Sequence, residues 1–427
     1  MASTTNALIS GSLKRNYPKQ FFKVLENTEI TLLNLCDGLD EWTPRGDATY
    51  FPFYISQPKN ISASSTGGTA IRTPSQRQEV QGSLTPVEII GNISITDYTK
   101  RTNPDSKGEF NGGEWARATD ETSTQTAKMI NRYLASSHGT GRLAMVDAGT
   151  VASVSFVAAV TEARPYGVSN LMAGDFIDIY DADSAGAAQY SNVKIENIDP
   201  VTRTVTTNTS MTLTAGWSIY RASAYGLSIN GLRNLIDNGA ASATIHGQTR
   251  ATYNALNSVV SNVYQAGVAQ ALTEEMVRQV YNRVRLNGGS PDTLICNPGV
   301  ADAYYRINAT LRQYIVPNGS MFESKIGSPK DLAASFRDDN LKVVREDNGL
   351  PRALYMIKKG ALKKAIARDL GWYDDDGNIV RMTISGSGYA ASWDAAMGWL
   401  GNVCNPAPNQ AGLVLGVLDS LNGDSVA

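Results

Sequence analysis

The hydrophobic pattern of this chain changes character at residue 143 and changes back at residue 222. Between these limits long helical patterns are absent, and short stretches rich in β-branched residues alternate with turn residues. Strands are predicted there at 154–160, 176–180, 193–198 and 205–207. Strands of this length and spacing favour a small antiparallel barrel or sandwich, carried as a module inside a host fold.

Upstream of this β-rich stretch, residues 1–45 carry too little apolar surface to fold alone, which predicts an arm reaching a neighbouring subunit. An arm docked on its own body is the alternative. Strands predicted at 50–55 and 87–98 enclose a Gly- and Ser-rich stretch, and together they suggest a long two-stranded ribbon. A helix is predicted over 113–137, because Ala127, Ile130 and Leu134 recur at helical spacing.

Downstream of residue 222, helical and β patterns alternate, as expected for a mixed α/β domain. Thr273 is a suitable N-cap for a helix over 274–286. A short strand at 293–296 and a turn at 297–299 lead into a helix predicted at 300–311. A hairpin turn between two strands is predicted at 373–378, where Asp376 and Gly377 suit its positive φ angles.

Composition excludes several classes of protein. The 38 basic and 40 acidic residues nearly cancel, unlike a protein that binds nucleic acid by neutralising phosphates. Only 18% of residues are charged, which suggests that much of the surface meets other protein. Three widely spaced cysteines indicate a reducing compartment rather than a disulfide framework. The sequence shows neither a secretion signal nor a long apolar run, so we expect no membrane association.

Motifs of enzymes are also missing from the sequence. There is no GxxxxGK[ST] phosphate loop and no GxSxG nucleophile elbow. The acidic run at 374–376 fails as a calcium loop, because Ile379 stands where that loop requires glycine. The two histidines, His138 and His246, are interpreted as surface or packing residues. We therefore predict a protein that is not an enzyme and that has no cofactor or metal.

From residue 226 onward the sequence resembles the major capsid proteins of tailed bacteriophages, the Hong Kong 97-type capsid fold family. The resemblance lies in GLSINGLRNLIDNG (226–239), IHGQTRATYNA (245–255), the segment at 272–307 that begins LTEEMVRQVYNRVRLNGG, GWYDDDGNIVRM (371–382) and WLGNVCNPAPNQAGLVLGV (399–417). It covers roughly the last half of the chain. The resemblance implies an α+β fold with an N-terminal arm, an extended β-hairpin loop, a spine helix, and peripheral and axial domains.

The resemblance also implies a domain order along the chain. The predicted segments are the N-terminal arm (1–45), the extended loop (46–106), the spine helix with part of the peripheral domain (107–142), the inserted β-rich domain (143–222), the mainly axial domain (223–355), peripheral-domain strands (356–400), and the return through the axial domain to the C-terminus (401–427).

The implied function is a shell subunit that assembles as hexamers and pentamers around phage double-stranded DNA. The implied partners are further copies of the chain, a portal, and a decoration or minor capsid protein. Because the 45-residue arm leaves no room for a long scaffolding helix, we also expect a separate scaffolding protein, or a scaffolding segment that has already been removed. We expect assembly in the host bacterial cytoplasm and a final location in the virion. Basic residues are candidates for contacts with neighbouring subunits or DNA, namely Lys14, Arg15, Lys19, Lys23, Arg72, Arg77, Lys358, Lys359, Lys363 and Lys364.

Two other interpretations stay open at this point. An encapsulin compartment has the same fold but encloses enzymes, and a cargo-targeting peptide on a neighbouring protein would favour it. A surface or carbohydrate-binding protein could use residues 143–222 as its binding module. Secretion of the protein would favour that second interpretation.

Overall fold

A computed structural model gives the fold of the chain. It describes residues 32, 35–38, 48–56, 76–97, 113–136, 139–181, 187–311, 341–373, 381–385, 390–422 and 424. Most of the predicted arm, the middle of the predicted loop and the acidic run at 374–376 lie outside these residues.

The described strands are, in chain order, β1 (Asp37–Gly38), β2 (Thr49–Ser56), β3 (Gln78–Leu84), β4 (Val87–Thr96), β5 (Arg142–Met145), β6 (Thr150–Val157), β7 (Phe176–Tyr180), β8 (Tyr190–Asp199), β9 (Thr204–Leu213), β10 (Ser218–Arg221), β11 (Thr244–Ile245), β12 (Gln248–Thr249), β13 (Val259–Asn262), β14 (Thr293–Cys296), β15 (Lys342–Arg345), β16 (Ala353–Ile357), β17 (Lys363–Trp372), β18 (Arg381–Ser385), β19 (Ala390–Cys404) and β20 (Gly412–Leu415). The helices are α1 (Gly113–Ser136), α2 (Leu232–Leu235), α3 (Glu274–Leu286) and α4 (Pro298–Leu311), with short 3₁₀ turns at Asn254–Leu256, Pro408–Gln410 and Ser420–Asn422.

Strands β5 to β10 form an antiparallel barrel over the segment predicted to be β-rich. Their order is β5-β10-β7-β8-β9-β6. Backbone hydrogen bonds from Asp147 to Val157 and from Ala159 to Met145, at 2.9 and 2.8 Å, join the two outer strands and close the barrel. The predicted strands are confirmed, although β8 and β9 are longer than expected and β5 and β10 were not predicted. The barrel interior is apolar and includes Leu143, Phe156, Ile177, Ile179, Val193, Ile195, Val205, Met211 and Ile219.

The central sheet has the order β13-β20-β16-β14-β15 among the described strands, with helix α3 packed against β13 and β20 and helix α4 against β15. Thr273 caps α3 as predicted, since its Oγ1 accepts the backbone N–H of Met276 at 3.3 Å. The predicted turn at 297–299 is wrong in part, because helix α4 already begins at Pro298. Asn297 Oδ1 accepts the Val300 N–H at 2.9 Å, so Asn297 is the cap and proline occupies the first helical position.

The long strand β19 organises a third sheet. Strand β4 pairs with one edge of β19, and both β17 and β18 pair with the other. The hairpin turn predicted at 373–378 lies, apart from Tyr373, outside the described residues. The strands on either side of it, β17 and β18, each pair with β19. The predicted helix at 113–137 is confirmed as α1, which packs against β4.

One of the two strands of the ribbon is not the strand that was predicted. Strand β2 pairs antiparallel with β3, from Thr49 opposite Leu84 to Ser56 opposite Gln78. The predicted partner at 87–98 is the separate strand β4, which joins the long sheet. The polar composition of residues 78–83 hides β3, because only one of its faces is covered. Residues 57–75, between β2 and β3, lie outside the described part.

Candidate assembly surfaces

Buried and exposed side chains alternate along β2, so one face of the two-stranded ribbon is buried. Phe51 and Phe53 are buried, while Tyr50 and Tyr54 on the opposite face are 61% and 60% exposed. Gly82 lies opposite Phe51 on β3 and leaves room for the Phe53 ring, since a Cβ at Gly82 would lie 2.7 Å from Phe53 Cε2. Successive side chains of a strand point to opposite faces, so one face of the ribbon is docked and the other is aromatic and accessible.

The docking partner of the ribbon is the hairpin formed by β11 and β12. Its turn consists of His246 and Gly247, with φ angles of 48° and 79°, as a type I′ turn requires. The His246 ring lies 5.2 Å from the Phe51 ring and stacks on Phe53 at 5.9 Å, centroid to centroid. The His246 carbonyl accepts the Ser83 N–H at 2.9 Å, and Gln248 Nε2 donates to the Gln81 carbonyl at 2.7 Å.

Burial controls the protonation of His246, confirming its interpretation as a packing residue. Its Nε2 accepts the backbone N–H of Asn405 at 3.3 Å. Burial lowers the pKa of His246 to about 3, and the nearby Arg250 guanidinium adds to this effect. The imidazole is therefore neutral near pH 7. It acts as a flat packing surface beneath the two phenylalanines.

The loop that supports this hairpin is organised by Asp237, which is fully buried. Its carboxylate accepts Arg233 Nη1 at 2.8 Å and the backbone N–H groups of Gly239, Ala241 and Ser242 at 2.9 to 3.0 Å. The buried guanidinium of Arg250 donates to the Asp237 carbonyl at 2.8 Å. These bonds satisfy a buried charge from several sides, which fixes the position of the ribbon's base.

Helix α1 holds the barrel and the central domain through two adjacent polar residues. Arg132 Nη2 donates to Asp175 Oδ2 and to the Asn170 carbonyl of the barrel segment, each at 2.8 Å. Asn131 Nδ2 donates to Glu346 Oε1 at 2.8 Å, just beyond β15. Both helix residues are buried. The helix therefore acts as a rigid spine between two other parts of the fold.

The outer surface of the barrel carries separate exposed apolar residues. Val151 is 84% and Val201 63% exposed, and Val154 and Phe176 are also accessible. Single surface apolar residues are normal and by themselves define no binding site.

The predicted basic residues do not form one described cluster. Lys14, Arg15, Lys19, Lys23 and Arg72 lie outside the described residues. Arg77 pairs with Glu79, and its guanidinium lies 3.8 Å from the centroid of the Tyr54 ring. Arg77 therefore belongs to the accessible face of the ribbon. The prediction named only basic residues, so it did not include the tyrosines of this face. The alternation in TYFPFYIS, with tyrosines out of phase with phenylalanines, is the signal that could have found them.

The lysines near residue 360 lie in the turn between β16 and β17 and at the start of β17. Lys358 and Lys359 are exposed in the turn between β16 and β17, and the Lys359 N–H donates to Asp292 Oδ1 at 2.7 Å. Lys363 Nζ lies 3.4 Å from Asp37 Oδ2, beside the β1–β17 pairing. Lys364 is half-buried on the same strand. Lys363 thus joins two parts of its own chain.

No chemistry of an active site emerges from the described residues. Among them, no group of three or more His, Cys, Asp or Glu side chains is arranged to hold a metal ion. Cys36, Cys296 and Cys404 are buried as free thiols, and burial raises the pKa of each to about 12, which leaves them protonated and unreactive. No helix in the described ranges is long and apolar enough to cross a membrane.

Comparison with known proteins shows which proteins this chain resembles. Residues 228–330, less than half of the chain, match the family model of the SU10 major capsid protein. No curated protein sequence matches the chain. The structure is similar to the cyanophage A-1(L) capsid asymmetric unit, with 11% identity, a TM-score of 0.56, and coverage of 97% of this chain and 99% of that one.

Two more distant structures have TM-scores below 0.5. One is the capsid of a native GTA particle, at 0.49 and 9% identity, covering 97% of this chain and 100% of that one. The other is the SrpI encapsulin complex from Synechococcus elongatus PCC 7942, at 0.46 and 8% identity, covering 100% and 99%. The predicted α+β fold of the Hong Kong 97 type is confirmed by the cyanophage likeness. The status of the barrel as an insertion, and the domain boundaries, stay predictions.

Proposed function

We infer that this chain is a phage major capsid protein of the Hong Kong 97 type, and we propose that it assembles as hexamers and pentamers into an icosahedral head shell around double-stranded DNA. The observation that carries this proposal is a match to a major capsid family model inside a chain whose whole length follows a capsid-subunit fold. The protein is structural rather than catalytic.

The subunit's surfaces support self-association. The ribbon presents Tyr50, Tyr54 and Arg77 on a face that the rest of the described chain leaves accessible. Tyrosine and arginine are enriched at protein interfaces, and tyrosine supplies contact area at low entropic cost. One rigid core with a projecting ribbon can meet neighbours at slightly different angles, as pentamers and hexamers of one sequence require. This face is therefore the proposed contact with the next subunit.

Further partners belong to the same proposal. A portal, a separate scaffolding protein and a decoration or minor capsid protein would complete the particle, which would assemble in the host cytoplasm. Exposed Lys358 and Lys359 are the described candidates for contact with packaged DNA or with a neighbour's carboxylates. The barrel is the candidate surface for a decoration protein, because its strands close on themselves and leave its outside available.

Electron microscopy of the purified chain tests the proposed function. The protein is expressed alone and together with the genes that adjoin its own, and particles are examined by negative stain. Rings of five or six subunits, or closed polyhedral shells, are expected under at least one condition. Monodisperse monomers under both conditions would overturn the proposal. Shells that contain an enzyme cargo, and no nuclease-protected DNA after co-expression with packaging genes, would favour the encapsulin interpretation instead.

A further inference from the structure

A large cleft lies where helix α1, the barrel and the central domain meet. Its volume is about 1040 Å³, at the upper end of the roughly 300–1,000 Å³ typical of small-molecule pockets. Helix α1 forms one wall with Glu121, Thr124, Gln125 and Lys128, which recur at spacings of three and four and so share one helix face. A cleft of this size can hold a peptide segment.

The lining of the cleft combines an apolar floor with charges of both signs. The barrel side contributes Leu171, Met172 and Ile198, and the central domain contributes Pro298. The charged lining residues are Glu121, Asp175, Asp347, Lys128 and Arg221. This chemistry suits an amphipathic segment with apolar side chains and both basic and acidic residues, rather than a strongly charged ligand.

The first described residue of the N-terminal region, Leu32, contacts helix α1 one turn from the lining residue Lys128. The backbone N–H of Leu32 donates to Asn131 Oδ1 at 3.0 Å, and the Leu32 side chain is buried. Asn131 lies on α1 one turn beyond Lys128, on the same helix face. Asn131 also bonds Glu346, the neighbour of the lining residue Asp347. The chain before Leu32 therefore starts beside residues that adjoin two parts of the cleft lining.

We propose that residues 19–31 of the same chain bind in this cleft. The segment reads KQFFKVLENTEIT and carries Phe21, Phe22, Val24, Leu25 and Ile30 between two lysines and two glutamates. Leu25 lies seven positions before Leu32, a reach of roughly 10 Å as a helix or roughly 25 Å extended. The lining residue Lys128 is one helical turn from Asn131, which Leu32 contacts, so the cleft lies within reach of the segment. The two lysines and two glutamates of the segment match a lining that carries both signs of charge.

This docking would give the N-terminal segment a role within its own subunit. A segment bound there would contact the spine helix, the barrel and the central domain at once and would fix their relative positions. The inference goes beyond the proposed function, because shells can form whether the segment binds its own cleft or a neighbour's.

Crosslinking in the full-length chain tests the inference. Leu25→Cys is combined with Ala173→Cys, an exposed position that lines the cleft, and treated with a short bismaleimide at protein concentrations below those that give assembly. The matched control combines Leu25→Cys with Val151→Cys, which is 84% exposed and is not among the cleft's lining residues. The native thiols are buried and protonated, so they contribute little background.

A crosslink within one chain is expected for the cleft pair, at roughly tenfold or more over the control pair, because docking raises the local concentration of the two thiols. A second pair, Leu25→Cys with Gln125→Cys on the helix wall, should crosslink as well. Crosslinks that join two chains would assign the cleft to the segment of a second copy and overturn the proposal. Equal yields for cleft and control pairs, or no crosslink in chains whose circular dichroism and thiol labelling are normal, would also overturn it. Electron microscopy of the same variants separates this outcome from a failure to form shells.

Discussion

The barrel and the ribbon are both antiparallel β-structures, but they complete their packing in different ways. All six strands of the barrel come from one continuous stretch of chain and close on themselves through the contacts between β5 and β6. The ribbon has two strands and one buried face, and that face rests on Ile245, His246, Leu256 and Cys404 from much later in the sequence. The barrel therefore completes its strand pairing with its own strands. The ribbon, in contrast, is packed against other parts of the chain on one face only, and its other face is exposed.

This difference indicates where a shell subunit keeps rigidity and where it keeps adaptability. A closed barrel has no unpaired edge strand, so it resists unplanned strand pairing with neighbours. A two-stranded ribbon is marginally stable alone and gains stability from whatever its second face meets. Proline at position 52 of β2 also limits strand addition along that edge, because proline has no N–H to donate. Side-chain contacts through the tyrosine face are then the expected mode of association.

The largest expected effect comes from Asp237→Ala, at the base of the ribbon. The substitution leaves Arg233 as a buried charge without its carboxylate and leaves three backbone N–H groups without their acceptor. Breaking a buried ion pair in this way costs about 3–5 kcal/mol of unfolding free energy. Chemical denaturation measures the loss. The matched control is Asp302→Ala, which removes an exposed 3.4 Å pair with Arg345 and should cost at most about 1 kcal/mol. Equal losses in the two variants would contradict the role given to Asp237.

Phe53→Ala and Phe156→Ala compare the two regions directly. Both side chains are 2% exposed, and removal of either should cost about 3–5 kcal/mol. Hydrogen exchange should show lost protection in β2 and β3 for Phe53→Ala, with the barrel unchanged. Phe156→Ala should reduce protection across the barrel strands instead. If both variants lose protection in both regions, the ribbon and the barrel are one cooperative unit and the contrast drawn here is wrong.

A smaller effect should follow from pH through His246. Its folded pKa of about 3 lies below the ordinary 6.5, so the unfolded chain binds more protons between these values. The contribution of neutral His246 to the unfolding free energy is therefore largest above pH 6.5 and falls progressively toward pH 3, because the unfolded chain is protonated first. At pH 5 the loss is about 2 kcal/mol, from roughly 1.4 kcal/mol per pH unit. His246→Asn, which tolerates the positive φ angle, should flatten the stability profile between pH 6.5 and 5. An unchanged slope would show that other groups dominate in this range.

The smallest effect on the isolated subunit should come from the ribbon's open face. Tyr50→Ser with Tyr54→Ser removes two exposed side chains and the contact of Arg77 with Tyr54, so the unfolding free energy should fall by only about 1 kcal/mol. The yield of assembled shells, measured by sedimentation, should nevertheless fall sharply. Val151→Ser on the barrel is the matched control and should assemble normally. Normal assembly by the tyrosine variant would remove the ribbon face from the proposed interface.

The same contrast explains what the sequence predicts well. The barrel strands follow from local signals, because their partners are near in sequence and turn residues mark their limits. The spine helix and the Thr273 cap follow for the same reason. The partner of β2 was missed because β3 is half polar, and because the apolar β4 owes its pattern to β19, far away in the chain.

The assembly surfaces were less predictable than the fold. Charge directed attention to lysines such as Lys363, whose Asp37 partner comes from a distant segment. His246 could be identified as a packing residue, but its contacts with Phe51 and Phe53 depend on tertiary structure. The alternation along β2 separates its tyrosines from its phenylalanines, but only the pairing and docking of β2 determine which set stays exposed.

A reconstruction of the assembled particle by electron cryo-microscopy tests the central claim most directly. The account predicts a closed shell in which Tyr50 and Tyr54 of each ribbon pack against a neighbouring subunit, while the barrel keeps its own closed strand pairing. A shell in which both tyrosines stay exposed to solvent, with subunits joined instead through opened barrel strands, would contradict it.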